Sequence, residues 1–423
     1  MVAQPITLTA FEDRLLREIP DANIGDVLRA RGLPSRRTET WKWSDLRGAV
    51  RDDRAASGPY ASDVPAAPLD LEGATILTLK NGMATAPAGV EPKPIVKDGR
   101  KVGVTYVVAD GLVISQYESG REIDAPIGPG RELEAMAALR PLTSISILPG
   151  FSHDVVLRRL SDGAGRHGDN VFVTVGEGAT LRLVETHEVE GSPFVNSRTE
   201  IEVDATAAVE RVVLQPAAPE AVIVHSSIVR LDEEKDGEIA RFGQTTLAAG
   251  AQLSRHETRL THLGRSEARI DALYRLDDRL HTDITSHVTF EGEDAVTGQL
   301  VKGIGAGHGR GVFQGKFLVR HGAQRTDAQM AHHALLLSNG AHINAKPELE
   351  IYADDVECAH GNTVGALDPE AIFYMRQRGL SEESANRLLI DAFGGEVLER
   401  IADEELRSKL QEVVSDAGGF HAL

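Results

Sequence analysis

A chain of 423 residues is long for one compact core, and length alone suggests two or three domains. Its formal charge of −19, from 64 acidic and 45 basic residues, argues against a nucleic acid or an anionic membrane as partner. A single cysteine, Cys358, excludes an intrachain disulfide and fits a reducing compartment.

In chain order, the first stretch reads as helical. Phe11, Leu15 and Leu16 recur at helix spacing, as do Val27 and Leu28. Between Met1 and Pro20, Asp13, Arg14, Arg17 and Glu18 leave no apolar run for a signal peptide, so a cytoplasmic protein is expected. Gly32-Leu33-Pro34 breaks the helical pattern, and Arg36-Arg37-Thr38-Glu39-Thr40-Trp41-Lys42-Trp43-Ser44-Asp45-Leu46 follows with both tryptophans, which should cover one edge of a core. Ala55 to Pro68 reads as a linker.

From Leu69 the period becomes two. Ala74 to Leu79, Val102 to Val108 and Leu112 to Ser115 are candidate strands, and the alternation is clear from Leu142 to Val356. Val171 to Val175 and Thr180 to Val184 flank a Gly176-Glu177-Gly178 turn. Roughly 200 residues of strand and turn without a helix imply a sandwich, barrel or solenoid. Gly-Ala pairs at Gly178, Gly250, Gly322 and Gly340 are spaced by 72, 72 and 18, all multiples of 18, which favours a solenoid, whereas the pairs at Gly163, Gly305 and Gly365 do not fit this spacing. The run Gly303, Gly305, Gly307, Gly309, Gly311 suggests a loop or tight corner.

The last segment is helical. Asp368-Pro369 opens a helix that stops at Gly379; Ser381 caps a second, with Ala385, Leu388, Leu389, Ala392 and Phe393 on one face and Gly394-Gly395 as its end. Leu406, Leu410, Val413 and Val414 mark a third. The division is thus a helical region over 1–68, a β core over 69–366 and a helical domain over 367–423.

Among common motifs, CxxC, HExxH and GxSxG do not occur. Gly315-Lys316 lacks the glycine and hydroxyl of a phosphate loop, which would fall at Arg310 and Phe317, so ATP hydrolysis by this chain is not expected. His332 and His333 point to opposite faces of a strand. His256, His262, His281 and His287 show no ligand spacing, and His308 sits in the glycine run. In Asp354-Asp355-Val356-Glu357-Cys358-Ala359-His360-Gly361-Asn362, Cys358 and His360 share one strand face. Thiolate and imidazole together suit iron or an iron–sulfur cluster, although two ligands do not complete a coordination sphere. The same spacing also fits an inert thiol beside a hydrogen-bonded imidazole.

The stretch Arg325 to Ser381, with Gly32 to Arg47, resembles the SufB/SufD family of iron–sulfur cluster assembly proteins, and the order of regions is similar over essentially the whole chain. The resemblance implies a right-handed parallel β-helix flanked by helical domains, and a scaffold rather than an enzyme. It implies pairing with SufB through the β-helix, docking of the ABC-type ATPase SufC on the C-terminal helices, and a transient iron–sulfur cluster or iron at the subunit interface. None would be held tightly by the isolated chain, for which a homodimer is also conceivable. It assigns the cluster role to His360 with Cys358 as neighbour, and Asn362 stands where a small residue is commoner. For the ATPase contact it points to Ile372, Phe373, Tyr374 and Met375 and to Leu388, Leu389 and Phe393. A single cysteine suits the SufD branch; a SufB-like sister subunit and a β-helix carbohydrate-active enzyme using Asp354-Asp355 are the alternatives.

Overall fold

The computed structural model describes residues 6–19, 21–52, 55–56, 58–65, 67–69, 71–120 and 127–415. The outer ends of the expected N- and C-terminal regions, including the whole segment after Ser415, lie outside the described residues.

The chain begins with α1 (Ala10–Glu18). Thr9 caps it through a reciprocal pair: its hydroxyl accepts from Glu12 N at 3.2 Å, and the Glu12 carboxylate accepts from Thr9 N at 2.7 Å. Asp21 caps α2 (Ala22–Arg31), and Gly32 ends it at a φ of +69°. Ile24 and Leu28 face inward there, whereas Val27 is only half-buried. A short 3-10 turn (Glu39–Trp41) and α3 (Leu46–Ala49) complete this helical layer.

The strands are β1 (Thr75–Lys80), β2 (Met83–Ala84), β3 (Lys93–Lys97), β4 (Arg100–Ala109) and β5 (Leu112–Tyr117), then α4 (Glu132–Ala138), β6 (Leu142–Ile147), β7 (Ser152–Ser161), β8 (Arg166–His167) and β9 (Asn170–Val175). There follow β10 (Thr180–Val189), β11 (Phe194–Val203), β12 (Ala208–Gln215), β13 (Ala218–Leu231), β14 (Ala240–Ala248), β15 (Ala251–His262) and β16 (Ser266–Leu276). The last are β17 (His281–Phe290), β18 (Val296–Gly305), β19 (Arg310–Val319), β20 (Thr326–Leu336), β21 (His342–Ile351) and β22 (Val356–Gly365). Among the described residues they form a ten-stranded and a twelve-stranded sheet, and from β10 onward successive strands alternate between the two. The core is therefore a two-sided β-solenoid, each coil giving one strand to each sheet.

The coil length is read from the register. Leu181 lies beside Val209, then Phe242, Ala268, Thr297, Ala328 and Cys358, in steps of 26 to 33 residues. The 18-residue spacing of the Gly-Ala pairs is therefore not the coil length. Gly178 and Gly250 lie in connections with positive φ, whereas Gly322 and Gly340 lie in turns without it, so the pairs mark local corners rather than a period. The glycine run is not one loop either. Gly303 and Gly305 are in β18 and Gly311 is in β19. A side chain at Gly303 or Gly311 would come within 2.3 or 2.6 Å of the Tyr274 ring, so these glycines make room for a buried aromatic.

The N-terminal end departs from a plain solenoid. β3, β4, β5 and β6 pair antiparallel before β6 joins β9 in parallel, so this end of the twelve-stranded sheet is an antiparallel meander with β3 as its terminal strand.

Helices cover the outer faces. Phe11, Leu15, Ile24, Leu28, Trp41 and Leu46, with Leu133 and Met136 of α4, pack on Phe194, Val222, Val224 and Leu253 of the twelve-stranded sheet. Trp41 is 1% exposed, and the Arg255 guanidinium stands 4.3 Å from its ring centroid. After β22 come α5 (Pro369–Gln377), α6 (Glu382–Leu398) and α7 (Glu404–Ser415), the first two capped by Asp368 and Ser381. Contrary to the expected stop at Gly394-Gly395, α6 continues to Leu398. Gly394 is buried there because α6 approaches Leu273 so closely that a Cβ would meet it at 3.2 Å. Val397, Leu398, Leu406 and Leu410 pack on Val184, Val212, Leu273 and Ile304 of the ten-stranded sheet. Arg400 pairs with Asp271 at 2.8 Å and Arg182 with Asp403 at 3.1 Å, so charges also tie these helices down.

Candidate functional site

Two places concentrate chemistry-bearing side chains. The first is inside the solenoid. In β10 the inward positions run Leu181, Leu183, Glu185, His187, so the apolar column turns polar at mid-strand. Glu185 accepts from Arg211 Nε at 2.7 Å and from Thr199 Oγ1 at 3.0 Å, and it also pairs with Arg159, which reaches Asp169 at 3.0 Å. Burial alone would push the Glu185 carboxyl up; Arg211 and Arg159 overcome it and hold it at about 2. Beside this pair stand His187, His225 and His256, with ring centroids 4.7 to 6.1 Å apart. Burial lowers all three well below the usual histidine range, so the rings are neutral. Among the described residues, no group of three or more histidine, cysteine or acidic side chains is arranged to hold a metal ion. This layer is a buried polar network, and the spacing of histidines in the sequence does not reveal it.

The second place is the last coil. β22 is the terminal strand of the ten-stranded sheet and β21 the terminal strand of the twelve-stranded one, so each leaves one edge unpaired. The turn before β22 is held by its neighbour: Arg325 N donates to Asp355 O at 2.6 Å, and Gln324 Oε1 accepts from Asp355 N at 2.9 Å. Asp354 and Asp355 therefore sit in an exposed turn, whereas Cys358 and His360 lie further along the strand. In register, Cys358 is beside Ala328, His360 beside Met330 and Asn362 beside His332. The alternation aims Cys358, His360 and Asn362 at the solenoid interior, but no further coil covers them. Cys358 is half-buried against the core, and His360 is exposed. Burial, then the Asp327 carboxylate, raises the Cys358 thiol, so it is protonated at neutral pH until a bound metal or a partner changes its surroundings.

Asn362 has a role that the sequence alone did not disclose. Its Oδ1 accepts from His332 Nδ1 at 2.7 Å, and His332 Nε2 meets the Tyr274 hydroxyl at 3.0 Å. Burial lowers His332 to about 4, so the ring is neutral, and the chain of bonds fixes β22 to the core two residues from His360. His333, on the opposite face, bonds Thr363 at 2.7 Å in solvent.

The residues singled out on the C-terminal helices are divided. α5 has no buried residue; Phe373 is 64% and Tyr374 60% exposed, with Ile372 and Met375 half-buried. On α6, Leu388 is exposed and Leu389 half-buried, whereas Phe393 packs at the sheet with Lys302 Nζ 4.3 Å from its ring centroid.

The sequence model of the SUF system FeS cluster assembly SufBD core domain matches residues 159–393. The chain belongs to the SufBD family. The match begins in β7 and ends in α6, so it takes in the polar interior, the last coil and α5 together. The iron–sulfur cluster assembly protein SufD of Escherichia coli is 29% identical over 417 residues, covering 95% of this chain and 93% of that protein. An iron–sulfur cluster assembly SufBD family protein of Synechocystis is 29% identical over 413 residues, covering 92% and 88%. A chloroplastic protein of Arabidopsis thaliana, ABCI7, is 30% identical over 249 residues, covering 58% and 51%. In this SufBD chain no helix among the described residues is long and apolar enough to cross a membrane.

Proposed function

We propose that this chain is a non-catalytic cytoplasmic scaffold subunit of iron–sulfur cluster assembly, which pairs through its last coil with a SufB-type β-helix and binds a SufC-type ATPase on α5 and the adjoining part of α6. The observation that carries this reading is the unfinished coil. Solenoids need their terminal edges covered; at the N-terminal end these edges are the two-residue β2 and the antiparallel β3, whereas at the other end the ten-residue parallel strands β21 and β22 each leave one edge unpaired. Ile351, Tyr352 and Val364 are 40%, 55% and 44% exposed there, next to His360. A sister β-helix that continues both sheets would bury these groups and bring its own donors to Cys358 and His360. Iron and sulfide are cargo at such a site, because among the described residues no three histidine, cysteine or acidic side chains are arranged to retain them.

His360→Ala should leave folding and pairing intact, because the ring is exposed. Maturation of iron–sulfur enzymes, in cells that rely on this system alone, should fall on the order of tenfold. Cys358→Ser should be milder. Normal maturation with His360→Ala would remove the assigned role.

The ATPase contact is best tested by point changes. Truncation after Gly365 would also strip α6 and α7 from Val184, Val212 and Leu273. Phe373→Asp with Tyr374→Asp should weaken ATPase binding by at least about tenfold while the thermal midpoint stays unchanged. Undiminished binding in a pull-down of the double variant would move the contact elsewhere.

A further inference from the structure

The Arg36–Ala49 segment does more than cover a sheet. It forms one wall of a cleft of about 460 Å³ whose other wall is the beginning of β17, β19 and β21. Arg36, Lys42 and Trp43 line the first wall; Arg279, Arg310 and His342 line the second. The solenoid register aligns the second wall: His281 is beside Arg310 and Arg310 beside His342, one strand spacing of about 4.8 Å apart each.

The charge here is opposite to that of the chain. Formal charge is −19, and arginines such as Arg158, Arg159, Arg182 and Arg269 are paired with carboxylates. Among the described residues, Arg36, Arg279 and Arg310 have no carboxylate within the 4.0 Å of an ion pair. The one carboxylate in the cleft, Asp45, accepts from Gly48 N at 3.0 Å as the cap of α3. Lys42 leans over Trp43, 5.2 Å from its ring centroid. His281 is engaged at the wall: Ser44 donates to Asp283 at 2.6 Å and meets His281 Nε2 at 2.9 Å. This is not a nucleophilic triad, since the aspartate bonds the serine rather than the ring and Ser44 is fully buried. The cleft lining therefore carries three guanidiniums and one ammonium against the single carboxylate of Asp45, an excess of positive charge that a bound anion would offset.

We propose that this cleft binds the oligophosphate group of a small ligand, with at least two linked phosphates. Guanidiniums are forked donors suited to phosphate oxygens. Arg279 and Arg310 start on adjacent coils and Arg36 faces them, so the donors are spread over more than one strand spacing. Two linked phosphates offer more acceptor oxygens over a longer reach than one, and so suit forked donors placed on two adjacent coils and on the facing segment better than a single phosphate does.

The test is calorimetric titration of the full chain at low salt with pyrophosphate, ADP and orthophosphate, with Trp43 fluorescence as a second signal. Trp41, the other tryptophan, is 1% exposed. Pyrophosphate is expected to bind saturably, at least about tenfold tighter than orthophosphate, and to weaken as salt rises. ADP equal to pyrophosphate identifies a free oligophosphate as the ligand; ADP tighter than pyrophosphate identifies a nucleotide; either supports the site. Arg36→Ala and Arg310→Ala should each weaken binding by about tenfold, with Arg279→Ala as a further variant and Arg310→Lys restoring part of the loss. Arg230→Ala, on the exposed end of β13, should have no effect. Three results overturn the proposal: no saturable binding of pyrophosphate or ADP at millimolar concentration, orthophosphate binding as tightly as pyrophosphate, or unchanged binding in a folded Arg36→Ala/Arg310→Ala double variant.

Discussion

Glu185→Ala is expected to destabilise the fold by about 3–5 kcal/mol, measured by urea unfolding. The carboxylate is fully buried and joins Arg159 to Arg211 inside the solenoid. Without it, Arg159 keeps Asp169, but Arg211 keeps only the neutral acceptors Ser227, Gln244 and His225. A guanidinium left in the interior without a counter-charge is what makes the change costly; the loss of the pair's own attraction is the smaller part. Glu185→Gln, which retains the shape and one acceptor, should cost less than Glu185→Ala but more than a surface change. A cost below 1 kcal/mol for the alanine variant would mean that water reaches this layer freely.

Acid is expected to unfold this protein early. Burial lowers His167, His256, His281, His287 and His332 to about 4 and His262 to about 3, and it takes His187 and His225 well below the usual value. In each case the unfolded chain binds a proton below about 6.5 while the folded chain does not, so the stability these groups contribute is intact above 6.5 and declines as pH falls toward 4. Each such histidine adds a slope approaching about 1.4 kcal/mol per pH unit. Several acting together exhaust the usual 5–15 kcal/mol within about two units. Tryptophan fluorescence followed from pH 7 to 4 should show a cooperative loss with a midpoint near pH 5. A native signal down to pH 4 would contradict the neutral, dry setting of these rings. Glu185 does not cause this loss, because its stabilisation fades only below the unfolded carboxyl value, toward 2.

Much of the fold is written in alternation and caps. The strands from Leu142 onward follow their period of two, and Asp368 and Ser381 mark helix starts that the structure keeps. Alternation does not encode the direction of a partner strand, which is why the antiparallel arrangement of β3 to β6 is invisible in it. α4 has seven residues, too few to display a helical stripe. At Gly394 composition pointed to a helix end, but close approach to Leu273 required the same residue inside the helix. The polar interior was legible in principle, since Glu185 and His187 have the parity of Leu181 and Leu183. Reading it required knowing that both faces of each strand are covered. The shared face of Cys358 and His360 follows from their spacing, but the openness around them follows from being last in the sheet. The cleft was beyond reach, because only the coil register brings Arg279 and Arg310 opposite Arg36.

The near-constant coil length also governs how such a chain acquires its structure. Each new strand pairs with one only 26 to 33 residues earlier, so every step closes a loop of similar modest length however far along the chain it falls. Stability is then a sum of neighbouring terms, and folding can spread coil by coil from any nucleus instead of awaiting one distant closure. The two ends are unequal in this respect. The beginning ends in antiparallel strands, whereas the last coil ends in the parallel β21 and β22, each with a neighbour on one side only, so the coil that bears His360 is held by one neighbouring coil where interior coils are held by two.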